Sequence, residues 1–265
     1  MVNVDKNLFL LQSNNILAIA SGVGSMGKTW FAVTLAQAVN QLHHSVLVVD
    51  ADNGLSNISF QTGLAGKVTL DDVAEGQYCF NQAILPVNKK NFDIVGGTAG
   101  SEILYTLPTG RLQILREDLI ITAQNYDKVI IDMPTSDKII THFVPQNANL
   151  ILVCTNDPSN LVSTYKFLQD AVSTYKYKSL QIVVNYANSY EEGLQTYSTL
   201  RRACEQFIKS TPRLLGVIRR DTRVRDAIRN HALLLNRYPN SEAAEDMMNI
   251  AQRLLGQGED NEWKI

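Results

Sequence analysis

A single doubly wound α/β domain, with helices on both faces of a mostly parallel sheet, is the fold class this sequence predicts, and three observations carry that expectation. Short apolar runs alternate with longer stretches of helical period, the pattern left when crossover helices cover both faces of a parallel sheet. A glycine-rich segment with G-x-x-x-x-G-K-T spacing stands between the first apolar run and the first helical stretch. Two further apolar runs end in aspartate, at Asp50 and Asp132, on the side where an open α/β sheet places its ligand crevice.

The strand candidates are residues 16–20, 45–49, 92–95, 128–131, 150–154, 180–184 and 214–218, and the main helix candidates are 29–41, 110–124, 159–173, 191–209 and 241–255. A chain of 265 residues with 45% hydrophobic content fits one large domain, expected over 15–255. Residues 1–14 precede the first strand as an arm, open to reading as an extra strand or a docking segment, and 256–265 form a mobile acidic tail.

Other classes are set aside by what the chain lacks. A formal net charge of -2 gives no global pull toward nucleic acid or anionic lipid. Cys79, Cys154 and Cys204 have no paired metal or redox spacing and read as idle thiols in a reducing compartment. His43, His44, His142 and His231 show no ligand spacing either. The opening residues do not make a secretory signal, and no apolar run approaches the roughly 20 residues of a membrane span, so a cytoplasmic location is expected.

The segment Gly22-Val23-Gly24-Ser25-Met26-Gly27-Lys28-Thr29 has the composition of a phosphate cradle. Glycines let successive N–H groups and the following helix N-terminus face an anion. Lys28 is expected on the terminal phosphates and the Thr29 hydroxyl on Mg²⁺. The competing reading is a glycine-rich turn with a chance lysine; strand before and helix after favour the cradle. Asp50 and Asp132 then read as magnesium carboxylates, direct or through water, because this ion takes few protein ligands. Alone, each also reads as a turn cap at a strand exit. Asp52 is open to two readings, a carboxylate orienting an attacking water or a solvated loop acid.

Taken together, the cradle, the Asp50-Ala51-Asp52 loop and the Val129-Ile130-Ile131-Asp132 strand resemble the MinD/ParA family of deviant Walker A ATPases, a SIMIBI-type P-loop NTPase fold. Asp50-Ala51-Asp52-Asn53-Gly54-Leu55-Ser56-Asn57, Val183-Val184-Asn185, Glu191-Glu192-Gly193, Leu215-Gly216-Val217-Ile218, Asp221 and Val224-Arg225 are similar to its flagellar-number regulators, the FlhG/FleN/YlxH group. The resemblance implies slow ATP hydrolysis to ADP coupled to dimer assembly, Asp52 activating water, Asp50 and Asp132 around magnesium, and Asn185 recognising adenine. It also implies an ATP-dependent homodimer, a partner such as an FlhF-type flagellar GTPase or a FleQ-like transcription regulator, and recruitment by that partner to the cell pole or inner membrane face.

Three departures from the family pattern matter. Val23 stands where relatives carry a lysine that reaches across the dimer, and Ser25 where they carry glycine, so weak hydrolysis or none is expected. Arg219 stands beside the base site where relatives have proline. Two alternatives follow, a nucleotide-binding scaffold without turnover and a ParA-like DNA partition ATPase; Arg219, Arg220, Arg223, Arg225 and Arg229 motivate the second. Met247, Met248, Ile250, Ala251, Leu254 and Leu255 make an apolar stripe followed by Glu259, Asp260 and Glu262, which reads as a packed helix rather than a basic membrane anchor.

Overall fold

The structure, a computed structural model, describes residues 15–257 except 53, 55, 56 and 136. The expected arm and most of the expected acidic tail lie outside the described residues, as do Asn53, Leu55 and Ser56 of the loop quoted above.

The elements run β1 (Ile16–Ala20), α1 (Lys28–Gln41), β2 (Val46–Asp50), α2 (Ile58–Thr62), α3 (Leu70–Ala74), β3 (Ile84–Asn88), β4 (Phe92–Val95), α4 (Ile103–Thr106) and α5 (Thr109–Ala123). They continue with β5 (Lys128–Asp132), α6 (Asp137–His142), β6 (Asn149–Cys154), α7 (Pro158–Ser173), β7 (Leu180–Ala187), α8 (Tyr190–Ala203), β8 (Arg213–Arg219), α9 (Thr222–Arg229), α10 (Leu234–Arg237) and α11 (Glu242–Leu254). Eight strands form one sheet in the order β3-β4-β2-β5-β1-β6-β7-β8, parallel throughout except for β3.

The continuous apolar runs of β1, β2 and β5 follow from burial on both faces. Ile16, Ala18 and Ala20 join a core with Leu112, Leu115 and Leu119 of α5, Phe167 and Leu168 of α7 and Tyr197 of α8. Leu17 and Ile19 point the other way, into a core with Phe31, Leu35 and Val39 of α1 and Met247 and Ile250 of α11. The apolar stripe of α11 is thus spent on β8 and α1. Among the described residues no helix is long and apolar enough to cross a membrane.

Strand β3 has no counterpart among the strand candidates. It is an antiparallel edge strand, half exposed and carrying Pro86, so it lacks the apolar run that marks the interior strands. Proline is tolerated there because an edge strand need not donate on both sides. The helix expected over 191–209 instead ends at Ala203, continues as one π-helical turn over Cys204–Ile208 and stops at Lys209, whose φ is 56°.

Close packing of α8 on β8 depends on Gly193. A Cβ built there would lie 2.3 Å from Cγ1 of Val217. Gly193→Ala should destabilise by ~1–3 kcal/mol through overpacking, and Gly193→Ala combined with Val217→Ala should recover part of that loss; thermal or urea unfolding checks both.

Candidate functional site

Most long helices of this fold begin with a side-chain cap. Asp157 caps α7, Ser189 caps α8 and Ser241 caps α11. Helix α1 does not: its N-cap is Gly27 at φ 84°, without a side-chain hydrogen bond and with no acidic residue in the first turn. The unpaired amides and positive dipole end of a 14-residue helix are therefore presented to the loop in front of it.

That loop is held from behind by long-range contacts. Gly22 lies so close to α7 that a Cβ would meet the Ser163 carbonyl carbon at 2.4 Å and the Thr164 nitrogen at 2.5 Å. Asn185, at the exit of β7, donates from Nδ2 to the Met26 carbonyl at 2.9 Å and accepts from the Tyr186 N–H at 2.9 Å. Thr155 at the exit of β6 contacts the Met26 sulfur at 3.9 Å, and Asn160 donates to Thr155 at 2.8 Å. Val23 is partly buried against the α1 side of the core, and its carbonyl accepts from the Ser21 hydroxyl. Gly24 and Ser25 form the exposed tip, with Ser25 in the left-handed region at φ 63°. This conformation favours glycine, the residue the family resemblance places at that position.

Lys28 is buried, and its Nζ lies 3.3 Å from Oδ2 of Asp52, which is one quarter exposed. Behind this pair, β2 and β5 run in register so that Asp50 and Asp132 are direct neighbours at their carboxyl ends. Both are completely buried. Asp50 accepts from the Ile58 N–H through Oδ2 at 3.0 Å, which ties it to the start of α2. Its Oδ1 and both oxygens of Asp132 have no hydrogen-bond partner of good geometry among the described residues. Burial, then the neighbouring Asp132 charge, holds Asp50 well above the usual carboxylate range. Burial pushes Asp132 up to about 7, with Asp52 adding to the rise and the nearby Thr29 hydroxyl and Lys28 ammonium opposing it.

Orphaned buried carboxylate oxygens at 0% exposure are costly unless a cation completes them. A hard divalent ion that takes one or two carboxylates and keeps its waters fits this donor set, with Thr29, Asp50 and Asp132 as the residues that would hold it.

The expected site residues thus fall into three places. Gly22 to Thr29, Asp50, Asp52 and Asp132 converge at the carboxyl ends of β1, β2 and β5. Asn185 lies behind the loop, 1% exposed, its amide fastening Met26. Arg219 ends β8, and its guanidinium is held by Asp246 at 2.9 Å, Glu242 at 2.8 Å and Glu245 at 3.2 Å, all on α11. Sequence reasoning did not single out Thr155, Asn160 or Tyr186; their one signal is position, at or just past the exits of β6 and β7.

The raised Asp132 gives a pH dependence of definite sign. An unfolded aspartate titrates near 4, so between about 4 and about 7 the folded chain keeps a proton that the unfolded chain has released. In metal-free buffer, stability should fall as pH rises through that interval. Asp132→Asn should flatten the decline and raise the Tm at pH 8, by ~2–4 °C for each kcal/mol recovered; a Tm that instead climbs from pH 5 to 8 in the wild type contradicts the assignment.

The chain is similar to several known proteins. The antiactivator FleN of Pseudomonas aeruginosa is 26% identical over 241 residues, covering 90% of this chain and 85% of that protein. The flagellum site-determining protein YlxH of Helicobacter pylori is 23% identical over 247 residues, covering 92% and 82%. The septum site-determining protein MinD of Pyrococcus horikoshii, solved with Mg-ADP, superposes with a TM-score of 0.75 at 22% identity, covering 91% of this chain and 95% of that one. The model of the CobQ/CobB/MinD/ParA nucleotide binding domain matches residues 17–254, and the chain belongs to that family.

Proposed function

We propose that the protein is an ATP-binding switch, with slow hydrolysis or none, that governs flagellar number or placement through nucleotide-controlled contact with a protein partner. The observation that carries the nucleotide reading is the uncapped start of α1, with buried Lys28 in its first turn and two buried carboxylates beside it that keep orphaned oxygens. The flagellar reading draws on the likeness to FleN and YlxH, whose names describe an antiactivator and a flagellum site-determining protein. An FlhF-type GTPase or a FleQ-like regulator is the partner proposed, and an ATP-bound homodimer the form that meets it, in the cytoplasm or at the pole.

The side chains have separable tasks in this reading. Lys28 is neutralised by Asp52 in the structure. A terminal phosphate would take Lys28 for itself, leaving Asp52 free to orient a water for in-line attack. Magnesium, when bound, supplies the charge that draws phosphate oxygens and buried carboxylates together. Asp50 also holds the first amide of α2, so a change at its carboxylate is transmitted to the start of that helix. Val23 supplies no cation to a partner copy, which limits turnover.

Lys28→Ala should reduce uptake of MgATP at least a hundredfold, measured by calorimetry. Phosphate release, if measurable, should vanish in Asp52→Ala while MgATP uptake persists. Undiminished uptake by Lys28→Ala overturns the nucleotide reading; zero release from wild type and variant alike leaves the scaffold form of it.

A second reading, DNA partition, is favoured by the exposed Arg220, Arg223, Arg225 and Arg229 at and before α9. Arg219 is withdrawn from that patch by the acids of α11. ATP-dependent duplex binding that weakens steeply with salt would support partition.

A further inference from the structure

Tyr186 occupies a conformation that its own strand does not require. Among the described non-glycine residues with positive φ it alone lies within a strand, with φ 60° near the end of β7. The other such residues lie in loops and turns or at helix ends, where a chain reversal accounts for them. An aromatic side chain in the left-handed region is strained, and such strain persists where the surroundings impose it, often at ligand sites.

The surroundings here are the phosphate loop. The register of β7 against β8 shifts between Val184 and Ala187, so Asn185 and Tyr186 leave the ladder together. Asn185 turns inward to Met26 and takes the Tyr186 N–H on its own Oδ1, which sets the left-handed turn of the backbone. The Tyr186 ring then runs to the start of α1: its hydroxyl would be 3.2 Å, and Cζ 3.7 Å, from a Cβ at Gly27. The side chain nonetheless remains 37% exposed. A partly exposed aromatic side chain therefore stands beside Gly27 at the start of α1, while the Asn185 amide is buried and fastened to the loop.

We propose that Tyr186 is the aromatic platform on which the base of the bound nucleotide stacks. Stacking holds a base by its π-face and is tolerant of base identity. Arg219, occupied by three carboxylates, does not compete for that face. The inference rests on the nucleotide reading above and adds the residue that holds the base.

The test compares wild type, Tyr186→Phe, Tyr186→Ala and Tyr186→Gly for binding of MgATP and of magnesium tripolyphosphate, which has no base. Tyr186→Ala and Tyr186→Gly should weaken MgATP about tenfold or more. Tyr186→Phe should stay within about twofold of wild type, and tripolyphosphate should bind all four proteins alike. Glycine accepts φ 60° without strain, so Tyr186→Gly removes the ring without straining the backbone and should bind MgATP more weakly while still binding tripolyphosphate. A merely structural tyrosine would lower both together. Equal MgATP binding by Tyr186→Ala, an equal loss for tripolyphosphate, or a loss in Tyr186→Phe matching that in Tyr186→Ala each overturns the proposal. If wild type itself takes up no MgATP, the nucleotide reading fails first; if it does and Tyr186→Ala matches it, only the role of Tyr186 falls.

Discussion

The placement of two buried carboxylates side by side at the carboxyl ends of adjacent strands is the constraint on which the rest of the site depends. Hydrogen-bonded register between β2 and β5 fixes Asp50 opposite Asp132, and burial on both faces removes the water that would otherwise solvate them. Two like charges in a low-dielectric interior raise each other's proton affinity. Such a pair is tolerated only when a proton or a cation offsets its charge. Asp50 reaches α2 through Ile58, and Asp132 is felt by Thr29 and Lys28.

The phosphate loop adds a second dependence, on distant backbone. Its conformation is secured from β6, β7 and α7, through Thr155, Asn185 and the close approach of Gly22 to Ser163. A loop so secured needs little rearrangement when an anion arrives, which would let a short segment hold a highly charged group in competition with water. The same clasp places Tyr186 at the mouth, so base and phosphates would be read by two sides of one hydrogen-bonded unit.

Much of this was legible in the sequence, for a physical reason. A strand covered on both faces is apolar along most of its length, so β1, β2 and β4 to β7, with the buried middle of β8, stand out as runs, whereas edge strand β3 is half exposed and does not. The spacing from Gly22 to Thr29 is local and shows directly. The clasp of Asn185 on Met26 joins residues 159 positions apart, and nothing near either one announces it. Likewise Arg219 carries no local sign that its charge belongs to α11, and Tyr186 carries none of its left-handed backbone. Sequence located the candidate groups; packing decides which of them are already held by neighbours.

The chemistry of this site depends on whether a cation completes the buried acid pair. Thermal unfolding at pH 8 with excess ADP, in magnesium or in EDTA, measures this most directly. A Tm several degrees higher with magnesium and ADP together than with either alone is the predicted result, since a ligand that binds only the folded state stabilises it by mass action. A Tm with ADP that is the same in magnesium and in EDTA would contradict it.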